Sequence, residues 1–158
     1  MVGCERFDVF DSPFGALCAT ADERGALTSL RFGAPPPGAV RDERRLADVR
    51  RQLAEYFAGK RRRFELELAP RGTPFQLRVW SALQEIDFGE VESYRGLAAR
   101  VGQPNATRAV GRANGANPIP IVIPCHRVIA SDGSLGGYSG GLALKAGLLS
   151  IEGHRYVI

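Results

Sequence analysis

Apolar and polar residues follow two different periods along this chain. Up to residue 33 they fall in short runs, RFDVF (6–10), GALCATA (15–21) and ALTSLRF (26–32), parted by DSPFG and DERG, and the pattern predicts three strands joined by tight turns. GAPPPGA (33–39) excludes helix and central strand, because proline fixes φ and lacks the N–H a ladder needs, so it reads as a rigid linker. From Asp42 the period lengthens: Leu46, Val49, Leu53 and Tyr56/Phe57 recur every three to four residues, an amphipathic helix stopped by Gly59. FELEL (64–68) returns to alternation and reads as a half-buried strand. Residues 1–70 are therefore expected to form a small mixed α/β domain, and APRGTP (69–74) marks its boundary.

Residues 74–158 read as a mainly helical domain, which makes the fold class α+β. Thr73 is placed to cap a helix opening on Pro74, with Phe75, Val79 and Leu83 on one stripe and Trp80 beside it. Ser93 caps the next helix, whose Leu97 and Val101 point inward; Gln103-Pro104-Asn105 breaks it, and a third helix spans about Ala106–Gly115. Two short helices with such a break suggest a helix-turn-helix. At about 100° per residue, Ala106, Ala109, Val110 and Ala113 share the packed side of the third helix, while Arg108, Gly111, Arg112 and Gly115 face away. Glycine on an exposed helical face costs about 1 kcal/mol against alanine. A smooth surface flanked by arginines would let a phosphate backbone or a narrow groove approach closely. IPIVIP (119–124) reads as extended because of its prolines, and RVIASDGSLGGYSGG (127–141) as a flexible loop whose one aromatic is Tyr138. A last helix follows, with Leu144, Leu148 and Ile151 inward and Glu152 at its end.

Composition narrows the class. With 158 residues, 44% hydrophobic and 24% charged, the chain has enough apolar surface for a packed core. No apolar run reaches the roughly 20 residues of a membrane span, and no signal segment opens the chain, so a cytoplasmic address is expected. The net charge of +4 permits an anionic partner without establishing one, and no tail concentrates it. KRRR (60–63) reads as a solvated turn. Cys4, Cys18 and Cys125 make no disulfide framework, and neither their spacing nor the two histidines fits zinc.

The chemistry concentrates at PCHRV (124–128). A cysteine among apolar residues is commonly an inert core thiol. Here Pro124 restricts its backbone, His126 and Arg127 bring positive charge that favours thiolate, and Glu152 is available to orient a histidine. These residue types alone admit an activated cysteine, including a cysteine-dependent hydrolase. His154, near the end, reads as a surface or packing residue.

Taken together, FQLRVW (75–80), FGEVESY (88–94), TRAVGRANGANP (107–118), PIVIPCHRVI (120–129), GGYSGG (136–141) and LLSIEG (148–153) strongly resemble the 6-O-alkylguanine-DNA alkyltransferases. DSPFG and the amphipathic helix extend the resemblance weakly to the first half. It implies irreversible, single-turnover transfer of an alkyl group from guanine O6 in double-stranded DNA to Cys125, with no cofactor. His126 would draw the thiol proton through a water, Glu152 would orient His126, and Tyr94 would assist the leaving guanine. Asn117 would bridge the turn and the cysteine segment. The Cys125 and Val128 carbonyls would read the exocyclic amine and the Ser139 amide would contact O6, with Tyr138 walling the pocket and Lys145 supporting it.

The target carbon is out of reach inside a duplex, so the base must be flipped out. The resemblance assigns this to the helix-turn-helix in the minor groove, with Arg108 taking the place of the departed base. Ala109, Gly111, Arg112, Ala113, Asn114 and Gly115 would complete the DNA-binding helix. Some members carry a structural zinc in the first domain; Cys4 and Cys18 sit wrongly for it, so no metal is expected. Related proteins with tryptophan in place of the acceptor only sense lesions, and Cys125 argues against that role. A monomer is expected.

Overall fold

The computed structural model of the chain describes residues 5–156, in two compact units, Met1–Arg71 and Gly72–Ile158. In the first, β1 (Arg6–Ser12), β2 (Gly15–Ala21) and β3 (Leu27–Phe32) form an antiparallel meander. The β1–β2 turn is closed by the Ser12 hydroxyl donating to the Gly15 carbonyl at 2.6 Å. A two-residue strand, β4 (Val40–Arg41), leaves the proline linker and pairs parallel with β1, completing the order β3-β2-β1-β4. That strand is not legible in the sequence, because two residues carry no period.

Helix α1 (Ala47–Phe57) buries Val49, Gln52, Leu53 and Tyr56, and Gly59 follows it at φ 75°, the left-handed geometry that ends helices. Asp8 on β1 is fully buried and bridges Arg41 at 3.1 Å and Arg50 of α1 at 2.7 Å, so one carboxylate ties strand edge to helix. The strand expected at 64–68 does not form. Its alternation survives, with Phe64, Leu66 and Leu68 half-buried and the glutamates exposed, but only Leu68 makes a bridge, to Leu27. The Glu65 backbone is taken instead by the Gln52 side chain, which accepts from its N–H at 2.8 Å and donates to its carbonyl at 3.1 Å. A buried side-chain amide thus does the work of a neighbouring strand.

The second unit opens with α2 (Pro74–Leu83). Thr73 and Gln76 form a reciprocal capping box, and Val79, Trp80, Ala82 and Leu83 are buried. Ser93 caps α3 (Tyr94–Arg100) by accepting from the Gly96 N–H at 2.9 Å. Val101 is its half-buried C-cap, and Ala98 joins Leu97 in the core. α4 (Thr107–Gly115) packs against α2 and α3, and the Trp80 indole donates to the Ala113 carbonyl at 2.8 Å. A 3-10 turn (Cys125–Arg127) leads into β6 (Val128–Ile129), which pairs parallel with β5 (Glu92–Ser93). α5 (Leu142–Ile151) closes the unit.

Two expectations fail here. Residues 119–123 are a tight turn rather than extended chain: the Ile123 N–H bonds the Ile119 carbonyl at 2.9 Å, and Ile121 has φ 74°. A β-branched residue in that region is strained, and burial of Ile119, Ile121 and Ile123 offsets the strain. The buried stripe of α5 is Lys145, Leu148 and Leu149, extended by Glu152, with Leu144 and Ile151 only half-buried. Two charged residues displace the apolar face that periodicity suggested.

Candidate active site

Pro124 makes the cysteine segment turn. Its φ of −81° and ψ of 64° form an inverse γ-turn in which the Cys125 N–H bonds the Ile123 carbonyl at 2.8 Å. The following 3-10 geometry, about three residues per turn, sends consecutive side chains roughly 120° apart instead of to opposite faces. His126 and Arg127 can therefore both reach Glu152, the C-cap of α5. His126 Nε2 lies 2.7 Å from Glu152 Oε2, while Arg127 binds both oxygens, Nε at 2.7 Å and Nη2 at 3.1 Å. Arg127 Nη1 also donates to the Ile86 carbonyl at 2.5 Å. All three side chains are buried.

Burial pushes the Glu152 carboxyl up, but the His126 and Arg127 hydrogen bonds and charges outweigh it and hold it at about 2. His126 is pushed down by burial against the opposing pull of Glu152, so the ring is neutral at pH 7 and Arg127 is the cation of the cluster. A neutral ring facing a carboxylate must donate from Nε2. Nδ1 is then the bare nitrogen, and it is buried with no hydrogen-bond partner among the described residues.

The Cys125 thiol is itself buried, and burial raises its pKa; hydrogen bonds from Asn117 and Tyr138 and the charge of Lys145 pull the other way. Its Sγ lies 3.7 Å from the Tyr138 hydroxyl. Lys145, fully buried, donates to the carbonyls of Val128 and Leu135 at 2.6 Å each and of Gly137 at 3.1 Å. Burial lowers it to about 8. Its Nζ also stands 5.8 Å from the ring centres of both Tyr94 and Tyr138. The sequence pattern points to His126 and Arg127 as the charges facing the thiol; the structure corrects this, since Arg127 is turned onto Glu152 and Lys145 is the cation felt at Cys125.

Tyr94, Gly111, Asn114, Gly115, Gly137, Tyr138 and Ser139 line a pocket of about 270 Å³. The Tyr94 hydroxyl donates to the Gly137 carbonyl at 3.3 Å, and the Ser139 hydroxyl to the Gly115 carbonyl at 3.1 Å, so the glycine loop is tied to α3 and α4. Gly111 lies under the Tyr94 ring, where an added Cβ would sit 3.8 Å from it. Asn117 accepts from the Ile119 N–H at 2.9 Å and donates to the Ile123 carbonyl at 2.8 Å. The Val128 carbonyl accepts from Lys145 at 2.6 Å, and the Cys125 carbonyl accepts from the Val128 N–H and from Asn114 Nδ2 at 3.4 Å, so both lone pairs of the Cys125 carbonyl are engaged.

On α4 the seven expected DNA-facing residues divide. Arg108, Arg112 and Gly115 are exposed, Ala109 and Gly111 half-buried. Ala113 and Asn114 are buried, which removes them from an exposed contact surface: Ala113 receives Trp80, and Asn114 turns in to the cysteine segment. Sequence reasoning missed the part played by Arg127 and Asn114. It also missed the spacing of Lys145, Leu148, Leu149 and Glu152 at i, i+3, i+4 and i+7, which puts both charges on one face of α5. His154 lies outside the cluster and meets the Gly89 carbonyl at 2.8 Å. Cys18 is buried in β2, and Cys4 lies outside the described residues.

Residues 74–154 match the family model described as 6-O-methylguanine DNA methyltransferase, DNA binding domain, and residues 6–70 match the ribonuclease-like domain of the same family. The chain belongs to the 6-O-methylguanine DNA methyltransferase family. Among relatives, a methylated-DNA–protein-cysteine methyltransferase of Methanosarcina acetivorans is 43% identical over 93% of this chain and 97% of its own. One from Mycolicibacterium paratuberculosis is 48% identical over 90% and 88%. OGT of Mycobacterium tuberculosis, solved in complex with DNA, superposes with a TM-score of 0.87 at 44% identity, covering 95% of this chain and 92% of that one. The resemblance read from the motifs of the second half thus holds over both halves of this methyltransferase-family chain, and the mixed α/β unit followed by a helical one is the architecture it shares with these neighbours.

Proposed function

We propose that this protein is a methylated-DNA–protein-cysteine methyltransferase that repairs O6-alkylguanine in double-stranded DNA by direct reversal. The observation that carries the reading is the joining of a buried thiol to a base pocket through one residue: Tyr138 lines the pocket and its hydroxyl lies 3.7 Å from Cys125 Sγ. Behind the thiol stands a neutral histidine held by an ionised carboxylate. That is a base for one proton, with a cation, Lys145, to favour the thiolate left behind.

In the reaction, the Cys125 proton passes through a water to His126 Nδ1, which becomes imidazolium against Glu152. Sγ attacks the alkyl carbon, the S–C bond forms as the C–O6 bond breaks, and the electron pair leaves on guanine. Tyr94 delivers a proton to the ring and recovers one by way of the imidazolium. Thiol and O6-alkylguanine thus become thioether and guanine, with no proton gained or lost. No step removes the thioether, so each molecule acts once and no cofactor is required.

The duplex is bound by α4 in the minor groove, with Arg108 filling the stack behind the flipped base and Arg112 meeting phosphate. A cytoplasmic address accords with this function, because the acceptor must stay a reduced thiol within reach of chromosomal DNA. No helix among the described residues is long and apolar enough to cross a membrane.

Intact mass after incubation with a duplex containing O6-methylguanine tests the reading. The expected result is one added CH2 per molecule, localised to Cys125, and none in Cys125→Ser, which still binds DNA. Tight binding with unchanged mass in the native protein would make it a lesion sensor, and catalytic turnover of an ester or amide would make it a hydrolase; either overturns the proposal.

A further inference from the structure

We infer that Arg127 is a positioning residue of the transfer reaction: by holding Glu152 as a carboxylate it forces the Nε2–H tautomer on His126 and keeps Nδ1 free to take the thiol proton. The inference rests on the repair reading above and deepens it.

The geometry makes the protonation state of Glu152 decisive. A carboxylate only accepts, so the His126 nitrogen 2.7 Å from Oε2 must donate, and a neutral ring has one N–H to give. The ring proton is thereby committed to Nε2. If Glu152 took up a proton, its O–H would donate into Nε2, or the ring would become imidazolium. In the first case the N–H moves to Nδ1; in the second both nitrogens carry protons. Neither state can accept a proton from Cys125.

Burial favours that uptake, and contact with a cation opposes it. Arg127 supplies the contact through two parallel N–H bonds to the two carboxylate oxygens, a geometry that a guanidinium fits and an ammonium does not. Its third contact, to the Ile86 carbonyl, anchors the fork independently of Glu152. Arg127 also lowers His126 directly by its charge, and the other charged group bearing on the ring is Lys145, from α5. Lys145 directs its N–H groups to three carbonyls. It raises the potential felt by the ring without fixing which nitrogen is protonated.

The test is the pH profile of single-turnover transfer from the free modified base, which removes DNA binding from the measurement, in the native protein, Arg127→Lys and Arg127→Met. In both variants the acid limb should move up by about one pH unit or more, giving a rate about tenfold lower at pH 6 that recovers toward native as the pH rises. Placing Arg127→Met in a Glu152→Gln background should add a clearly smaller displacement, the part due to the direct charge of Arg127 on the ring, because the carboxyl through which Arg127 mainly acts is gone. An equal loss at every pH, or a displacement as large in the Glu152→Gln background as in the native one, overturns the inference. If Arg127→Met does not fold, the Arg127→Lys profile decides alone. Absence of an alkyl adduct on the native protein would instead sink the repair reading itself, so the two failures remain distinct.

Discussion

Asn117 closes the strained turn that ends at Ile123, two residues before Cys125: Oδ1 receives the Ile119 N–H and Nδ2 reaches the Ile123 carbonyl at 2.8 Å. The same Ile123 carbonyl accepts the Cys125 N–H at 2.8 Å. One side-chain amide therefore sets the backbone from which the thiol projects, which an isolated turn with Ile121 at φ 74° could not hold.

Asn117→Ala leaves those backbone groups without their amide partner in a buried turn, so stability should fall by about 2 kcal/mol, read by urea unfolding. Transfer should slow more than the remaining folded fraction accounts for. Asn117→Asp keeps the acceptor but not the donor and should fall between alanine and native. Native-like rates in folded Asn117→Ala would mean that the turn holds itself.

Acid should unfold the protein partly through Glu152. Its folded pKa of about 2 lies below its ordinary value of 4.5, so the unfolded state binds more protons between these values. The stabilisation is complete above about pH 4.5 and is lost as the pH falls toward 2, a loss of about 3 kcal/mol. Glu152→Gln should be less stable than native at pH 7 and should lose much of this acid dependence. Parallel stability curves for the two proteins between pH 5 and pH 2 would remove Glu152 as the cause.

Arg108 and Arg112 are both exposed on α4 but should fail differently. Arg108→Ala should slow repair of duplex lesions by about tenfold or more while leaving reaction with the free modified base nearly unchanged, because flipping costs a few kcal/mol that the inserted side chain offsets. Arg112→Ala should weaken duplex binding modestly and flatten its salt dependence by about one phosphate contact. Duplex and free-base rates measured in parallel separate the two. An equal drop in both for Arg108→Ala would assign that residue to the pocket.

Strand alternation, the Thr73-Pro74 cap, the Ser93 cap and the PCHRV motif are legible in the sequence because each is written within a few neighbouring residues. Sequence patterns mislead where a distant group replaces a local rule. FELEL alternates as a strand does, yet Gln52, thirteen residues before Glu65, takes its backbone bonds. The prolines of IPIVIP suggest extension, yet burial of three isoleucines and the Asn117 amide curl it. Asn114 sits among residues that read as a DNA surface, yet it turns inward to the Cys125 carbonyl.

By itself the sequence marked Cys125, His126 and Glu152 as the residues able to do chemistry, and outlined the three-strand meander and the helices, because these depend on residue type, caps and period. Tertiary structure alone decided which charge serves which atom. Arg127 and Lys145 are equivalent cations in the sequence; folding turns the first onto Glu152 and sets the second against three carbonyls near the thiol. Electrostatics within a buried cluster depends on distance and desolvation, and both exist only once α5 has packed against the turn that carries Cys125.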